Sequence, residues 1–91
     1  MAWRWDSRKD DANQSKHGVP FRLARLVFDD PLHLSRPDPH PDEERWRTLG
    51  QVGKICLFVV HTLDEREELG GRIIGARRAT ASERRWYEEG D

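Results

Sequence analysis

The sequence predicts an α+β domain in which two N-terminal helices and one C-terminal helix pack on a small antiparallel meander sheet. The only long apolar run, residues 55–62, is rich in β-branched and aromatic residues and is bounded by turn signals. Such a run is typical of a strand buried on both faces. Apolar residues at helical spacing precede the run, and a helix-capping pattern follows it. Short connections between the strands favour antiparallel neighbours.

The chain has 91 residues, which predicts a single domain over residues 1–91 with one modest core. Hydrophobic residues make up 35% and charged residues 36%, so little apolar material remains beyond that core. The sequence has no apolar segment of membrane-spanning length and no signal-peptide pattern. We therefore expect a cytoplasmic protein without a membrane partner. The one cysteine, Cys56, lies inside the apolar run and is expected to be a core residue.

The first predicted helix covers residues 9–16. Asp6 is a good N-cap residue for it, and Gly18 is a stop signal. This segment is poor in apolar residues. We therefore expect most of its contact with the core to come from Ala12 and the aliphatic stems of Lys9 and Lys16.

The second predicted helix begins near Pro20, whose missing N–H is tolerated in a first turn. Apolar side chains then recur at helical spacing, which predicts a buried stripe made of Phe21, Leu23, Ala24, Val27 and Phe28. The helix should end at residues 29–31, because a proline disfavours helical geometry in the residue before it.

Strand-like patterns surround the central run. They cover residues 2–5, 32–34, 44–50 and 72–77. Residues 36–42 contain three prolines and predict a loop, because proline cannot sit in a central strand. The histidines and aspartates near this loop match no standard metal-site spacing, so we predict no metal and no cofactor. Residues 64–71 predict an acidic turn, and Thr80 with Glu83 predicts a capping box for a helix that ends near residue 89.

Charge is distributed unevenly along the chain. Residues 71–86 contain five arginines and one acidic residue, whereas residues 29–70 contain five basic and ten acidic residues. A local basic field can attract a polyanion even when the net charge is −1. Guanidinium groups grip phosphate oxygens, and aromatic faces stack on unpaired bases. The candidate aromatic faces are those of Trp46, Trp86 and Tyr87. A solvated arginine rim over a small core is the alternative explanation.

Cleavage of RNA without a metal requires an aligned 2′-OH, positive charge near the phosphorus and a group that moves protons. Arg77 and Arg78 are candidate charge donors, and His61 and His17 are candidate proton carriers. Each histidine also has a structural alternative. His61 suits a hydrogen-bonded strand end, and His17 suits the C-terminal cap of the first helix. Tyr87 can equally be a packing residue.

An ordered set of short motifs spans nearly the whole chain. The first are Trp5-Asp6-x-x-Lys9-x-x-x-Asn13-x-x-Lys16-His17-Gly18-Val19 and Phe21-x-x-Ala24-x-x-Val27-Phe28-Asp29-Asp30-Pro31. The later ones are Glu43-Glu44-Arg45, Val59-Val60-His61-Thr62, Arg72-Ile73-Ile74-x-Ala76-Arg77-Arg78-Ala79-Thr80 and Glu83-Arg84-x-x-Tyr87-Glu88. This ordered set resembles the BrnT family of bacterial toxins. The chain departs from the family pattern at Gly75, where a serine is usual, and at Arg4, where an acidic residue is common.

The resemblance implies a RelE-like ribonuclease of a type II toxin–antitoxin system, which cleaves mRNA and arrests translation. It also implies a BrnA-like antitoxin, a DNA-binding dimer that neutralises the toxin and brings it to operator DNA. Motif positions and the charge pattern together give two groups of site residues. Catalysis is expected from Arg45, His61, Arg77, Arg78 and Tyr87, and RNA binding from Lys16, His17, Arg47, Arg72 and Arg84. The alternative function is a non-catalytic protein-binding or regulatory module, suggested by the acidic middle segment.

Overall fold

The structure, a computed structural model, describes residues 2–66 and 69–90. Within them, the helices are α1 (Ser7–His17), α2 (Phe21–Ala24) and α3 (Ala81–Glu89), and a 3₁₀ helix (Arg25–Asp29) continues α2. The strands are β1 (Leu34–Asp38), β2 (Arg45–Val52), β3 (Ile55–His61) and β4 (Ile73–Arg78). They form one antiparallel sheet in the order β1-β2-β3-β4. The predicted α+β class, with an antiparallel sheet and three helices, is confirmed.

The core lies between one face of the sheet and the segment formed by α2 and the 3₁₀ helix. From this segment, Phe21, Ala24 and Val27 are fully buried, as the helical spacing predicts. They belong to the same cluster as residues of β3 and β4, namely Leu57, Val59, Ile73 and Ala76. The backbone of β2 approaches the 3₁₀ helix closely at Gly50, where an added Cβ would lie 2.7 Å from the Cβ of Val27.

β3 is an interior strand, as predicted, but it is not buried on both faces. Leu57 and Val59 are fully buried, whereas Phe58 and Val60 on the opposite face are only half-buried. The prediction of two buried faces is therefore wrong. The physical reason is that the α2 segment covers one side of the sheet, whereas α3 covers only part of the other side, where Leu49 and Cys56 are buried. Cys56, 7% exposed, is buried as expected.

α1 has the predicted ends but not the predicted packing. The Asp6 carboxylate accepts hydrogen bonds from the N–H groups of Arg8 and Lys9, and Gly18 ends the helix with φ 71°. The side chains expected to contact the core are instead exposed, namely those of Lys9, Ala12 and Lys16. Asn13 makes the contact in their place.

Asn13 pairs with the free backbone edge of β4. Its amide N–H₂ donates to the carbonyl of Ala76 at 2.8 Å, and its amide oxygen accepts from the Ala76 N–H at 3.1 Å. The N–H₂ group also donates to the carbonyl of Val19 at 3.0 Å. α1 is thus attached by polar bonds, because one amide side chain satisfies both backbone groups of an edge residue.

Three strand predictions need correction. Residues 2–5 form no strand, but Arg4 makes an isolated parallel bridge with Arg72. The predicted loop over residues 36–42 begins as β1, which runs through Pro37 and replaces the strand expected at residues 32–34. Proline is tolerated there because β1 is an edge strand, paired only with β2. β2 continues to Val52, two residues beyond its predicted end.

The remaining predictions concern the C-terminal part of the chain. The capping box is confirmed, because the Glu83 N–H donates to the Thr80 hydroxyl and the Thr80 N–H donates to the Glu83 carboxylate. Two residues of the acidic turn, Glu67 and Glu68, lie outside the described residues. Across the described part of the chain, none of the helices is long and apolar enough to cross a membrane.

Candidate functional site

The sheet face opposite the core carries arginines from three strands. Strand pairing places Arg36 of β1 beside Arg47 of β2, and Arg47 beside Val60 of β3. In the next row, Phe58 of β3 lies beside Arg77 of β4. Paired residues, and residues two apart along a strand, project from the same face of a sheet. We call this surface the arginine face, defined by Arg36, Arg47, Phe58, Val60 and Arg77.

Arg77 is held in a fixed position on this face. The carbon at the centre of its guanidinium lies 4.1 Å from the centroid of the Phe58 ring. Both terminal nitrogens donate to the Glu83 carboxylate, at 2.7 and 3.0 Å. These hydrogen bonds raise the pKa of Arg77 and lower the pKa of Glu83. The arrangement pre-organises a permanently charged, planar donor group.

Arg47 has hydrogen-bonding capacity that the described residues do not use. Its Nε is buried, and within residues 2–66 and 69–90 it has no hydrogen-bond partner. The nearest carboxylate, that of Asp38, lies 3.9 Å from a terminal nitrogen of Arg47. The Arg47 side chain as a whole is 41% exposed, so its terminal nitrogens can donate to an acceptor bound on the face.

A small cavity of about 140 Å³ lies beside Arg77, between α1 and β4. Its walls include His17, Val60 and Gly75. A Cβ at Gly75 would have only the Asn13 side-chain oxygen nearby, at 3.8 Å, so this glycine widens the cavity. His17, in the last turn of α1, and Arg77, in β4, therefore line the same cavity.

His61 is not part of this face. It is 1% exposed and packs edge-on against Trp3 and Phe28, with ring centroids 5.2 and 4.8 Å away. Its Nδ1–H donates to the carbonyl of Thr62 at 2.9 Å, so Nε2 accepts from the Thr48 hydroxyl at 2.6 Å. Burial lowers the pKa of His61 to about 4. The ring is therefore neutral, and both of its nitrogens are occupied.

Arg45 and Arg72 are brought together by Glu43, which was not among the candidate site residues. Nε of Arg45 donates to the Glu43 carboxylate at 2.8 Å, and Arg72 donates to both carboxylate oxygens at 3.0 and 3.1 Å. Hydrogen bonds from Arg45 and then Arg72 lower the pKa of Glu43. The single negative charge of Glu43 therefore partly neutralises the two arginines.

Lys16, another predicted site residue, is exposed in the last turn of α1.

Tyr87 and Trp86 of α3 contact side chains from other parts of the fold. The Tyr87 hydroxyl donates to the carboxylate of Asp30, and burial together with that contact raises the pKa of Tyr87 to about 12. One face of Trp86 is covered by the guanidinium of Arg36, 3.7 Å from the ring centroid. Trp46 lies on the core side of the sheet, since it pairs with His61.

Arg78 and Arg84 lie apart from the arginine face. Arg78 pairs with Leu57 and therefore projects from the side of the sheet opposite to Arg77. Together, Arg78 and Arg84 line a separate groove near the β2–β3 turn. Of the ten predicted site residues, the structure thus gathers Arg47, Arg77 and His17 on one surface.

Three residues of the arginine face were not among the sequence candidates, namely Arg36, Phe58 and Val60, and neither was Glu83, which binds Arg77. Phe58 was assigned to a buried strand, and Glu83 only to the capping box. Arg36 in β1 and Phe58 in β3 could have been identified if their pairing with Arg47 and Arg77 had been known. Within the described ranges, no group of three or more His, Cys, Asp or Glu side chains is arranged to hold a metal ion.

No curated protein sequence matches the chain. A family model described as "Ribonuclease toxin, BrnT, of type II toxin-antitoxin system" matches residues 5–83. The match includes α1, the whole sheet and the capping box of α3. Since it covers most of the 91 residues, the chain belongs to the BrnT family of ribonuclease toxins of type II toxin–antitoxin systems.

Proposed function

We propose that this toxin is an endoribonuclease that cleaves mRNA at the arginine face and thereby arrests translation in the cytoplasm. One observation carries the proposal. Arg77, fixed over Phe58, shares a partly exposed sheet face with Arg47, whose side chain is 41% exposed and lies 3.9 Å from the nearest carboxylate among the described residues. Two guanidinium groups on one surface are suited to a phosphodiester, which offers several acceptor oxygens. We also infer that the α+β arrangement is the RelE-like ribonuclease fold.

In the proposed reaction, the 2′-OH of the RNA attacks the neighbouring phosphorus. An O2′–P bond forms, the P–O5′ bond breaks, and the products are a 2′,3′-cyclic phosphate and a free 5′-OH. Arg77 and Arg47 stabilise the negative charge that grows on the phosphate oxygens. We assign proton transfer, from the 2′-OH and to the leaving O5′, to His17, because His17 and Arg77 line the same cavity. His61 is left out of this step because its ring is buried and both nitrogens are bonded.

The proposed reaction is metal-independent and needs no cofactor, because the nucleophile belongs to the substrate and the charge donors are arginines. Cleavage by the purified toxin should therefore continue in EDTA. Replacing the 2′-OH at the cleaved nucleotide by hydrogen should abolish it. Loss of activity in EDTA with recovery on adding Mg²⁺ would contradict the proposed chemistry.

Arg77→Ala is the variant that tests the site. We expect RNA cleavage to fall by about 10²–10³-fold, as when one charge-stabilising donor is removed from an active site. Growth arrest on expression should be lost as well. Arg85→Ala is the matched control, because Arg85 is an exposed arginine of α3. A folded Arg77→Ala protein with full activity would contradict the site, and RNA binding without cleavage by the wild type would favour the non-catalytic alternative.

A type II toxin acts with an antitoxin, and we propose that this partner is a BrnA-like DNA-binding dimer. In this proposal it covers the arginine face and brings the complex to operator DNA, so that the pair regulates its own operon. Charge complementarity supports an acidic partner segment over Arg47 and Arg77. Gel-shift experiments should show that the complex binds operator DNA and that the free toxin does not. Sequencing of RNA ends after induced expression would test mRNA as the substrate.

A further inference from the structure

We propose that the groove beside the β2–β3 turn is a second phosphate-binding site, which holds the RNA backbone beyond the nucleotides at the arginine face. This inference rests on the proposed ribonuclease function and extends its site. The groove has a volume of about 440 Å³. It lies between the β2–β3 turn, the end of β4 and α3.

Charge is the first observation. The groove is lined by three cationic side chains, Lys54, Arg78 and Arg84, and by one carboxylate, that of Glu88. Within the part of the chain that the structure describes, none of the three cations forms an ion pair. Arg45 and Arg72, in contrast, both donate to the carboxylate of Glu43. Positive groups that converge without a carboxylate partner are suited to phosphate oxygens.

Position is the second observation. Arg77 and Arg78 are consecutive at the end of β4, and they project from opposite sides of the sheet. Glu83 and Arg84 are consecutive in α3. Glu83 binds Arg77 at the arginine face, while Arg84 lines the groove. The two basic surfaces therefore meet at the end of β4 and the first turns of α3.

A single-stranded RNA fits both observations better than an isolated anion does. Its phosphates recur at regular spacing, so a strand that leaves the arginine face past the end of β4 next meets Arg78. Basic grooves that follow the backbone are the usual means of binding single strands without sequence preference. The groove would then determine the length of RNA that the toxin holds, rather than the bond that it cuts.

The test compares binding of short and long non-cleavable RNA. The probes are a tetranucleotide and a dodecanucleotide of 2′-O-methyl RNA, and the proteins are the wild type, the Lys54→Ala/Arg84→Ala double variant and the Arg85→Ala control. Arg85 follows Arg84 in α3 but does not line the groove. We expect the double variant to bind the dodecanucleotide about tenfold more weakly. The slope of log affinity against log salt should fall by about 0.7 for each lost phosphate contact.

Three outcomes would overturn the inference. The first is a double variant that matches the Arg85→Ala protein in affinity and salt slope, and the second is a wild type that binds both RNAs equally. Intact RNA binding with weakened antitoxin binding would assign the groove to the antitoxin instead. Failure of the proposed function gives a different result. In that case the wild type binds the non-cleavable RNA, and the double variant binds it more weakly, but the wild type does not cut ordinary RNA.

Discussion

Glu83 links the local structure of α3 to the proposed site. One carboxylate oxygen accepts from the Thr80 N–H at 2.8 Å and from Arg77 at 2.7 Å, and the other accepts from Arg77 at 3.0 Å. The same side chain therefore caps α3 and fixes the guanidinium over Phe58. A fixed guanidinium loses less freedom when it meets the charge of a transition state, so we regard Glu83 as a positioning residue.

Glu83→Gln separates positioning from binding. Glutamine keeps the shape and can still complete the capping box, but it removes the negative charge next to Arg77. RNA should then bind at least as tightly, because the repulsive carboxylate is gone, while a loosened Arg77 should lower kcat by about tenfold. The measurement is kcat and KM for RNA cleavage, with Glu89→Gln on the exposed end of α3 as the control. Equal kcat in both variants would show that Glu83 is only a helix cap.

His61 makes the stability of the fold depend on pH. Burial holds the pKa of His61 at about 4 in the folded state, below the ordinary value of 6.5. The unfolded chain therefore takes up a proton more readily than the folded chain. The stabilisation is fully present above pH 6.5 and is lost as the pH falls from 6.5 to about 4. Over that whole window, the loss is about 3 kcal/mol.

Urea unfolding of the wild type at several pH values between 6.5 and about 5 should show this loss, because carboxylates remain charged there in both states. The slope should approach about 1.4 kcal/mol for each pH unit. His61→Gln should be less stable at neutral pH but should have a flatter slope. His40→Gln, in the proline-rich loop, is the control and should keep the wild-type slope. A flat wild-type profile would contradict the assigned neutral, buried ring.

Among the elements, α1 depends on one side chain for its position. Asn13 makes three hydrogen bonds, two to Ala76 and one to Val19. Asn13→Ala should lower the free energy of unfolding by about 2 kcal/mol, because buried backbone groups lose their partners. It should also speed amide exchange at Ala76 and expose an unpaired strand edge that promotes aggregation. Gln14→Ala, one residue later and exposed, should change stability little. Equal stability of the two variants would contradict this account of α1.

The ends of helices could be predicted from the sequence because their causes are local. Asp6, Gly18 and Thr80 each act within a few residues of the position that they occupy, so one short stretch contains the whole signal. The path of β1 through Pro37 could not be predicted in this way. Proline excludes only a central strand, and whether a strand is central depends on partners elsewhere in the chain.

At the scale of the whole molecule, the site likewise depends on strand pairing that the sequence alone does not reveal. The basic segment over residues 71–86 and Arg77 as a candidate were visible in the sequence, but Arg36, Arg47 and Arg77 meet only through the register of four strands. The apolar run 55–62 looked buried because composition does not show which face a helix covers. His61 and His17 were equivalent candidates in the sequence. Packing placed His61 in the core and His17 on the wall of the cavity that Arg77 also lines.

Stability should be uneven across the molecule. The buried cluster joins the α2 segment to β3 and β4. Among the described residues, α1 and α3 contribute no buried side chain to it. α3 is attached by the Arg77–Glu83 ion pair, the Tyr87–Asp30 hydrogen bond and the stacking of Arg36 on Trp86. Such polar, partly exposed contacts oppose local opening less than burial does, and salt screens the charged ones.

Hydrogen–deuterium exchange of the free toxin tests this distribution. Amides of α3 should exchange before those of β3, because α3 can open while the apolar cluster stays intact. Raising the salt concentration should speed exchange in α3 more than in β3, since the ion pair to Arg77 weakens. Glu89→Gln should match the wild type, because Glu89 is exposed, whereas Glu83→Gln should speed exchange in α3 even at low salt. Uniform exchange across α3 and β3 would instead mean that the molecule opens only as one cooperative unit, with α3 held as firmly as the core.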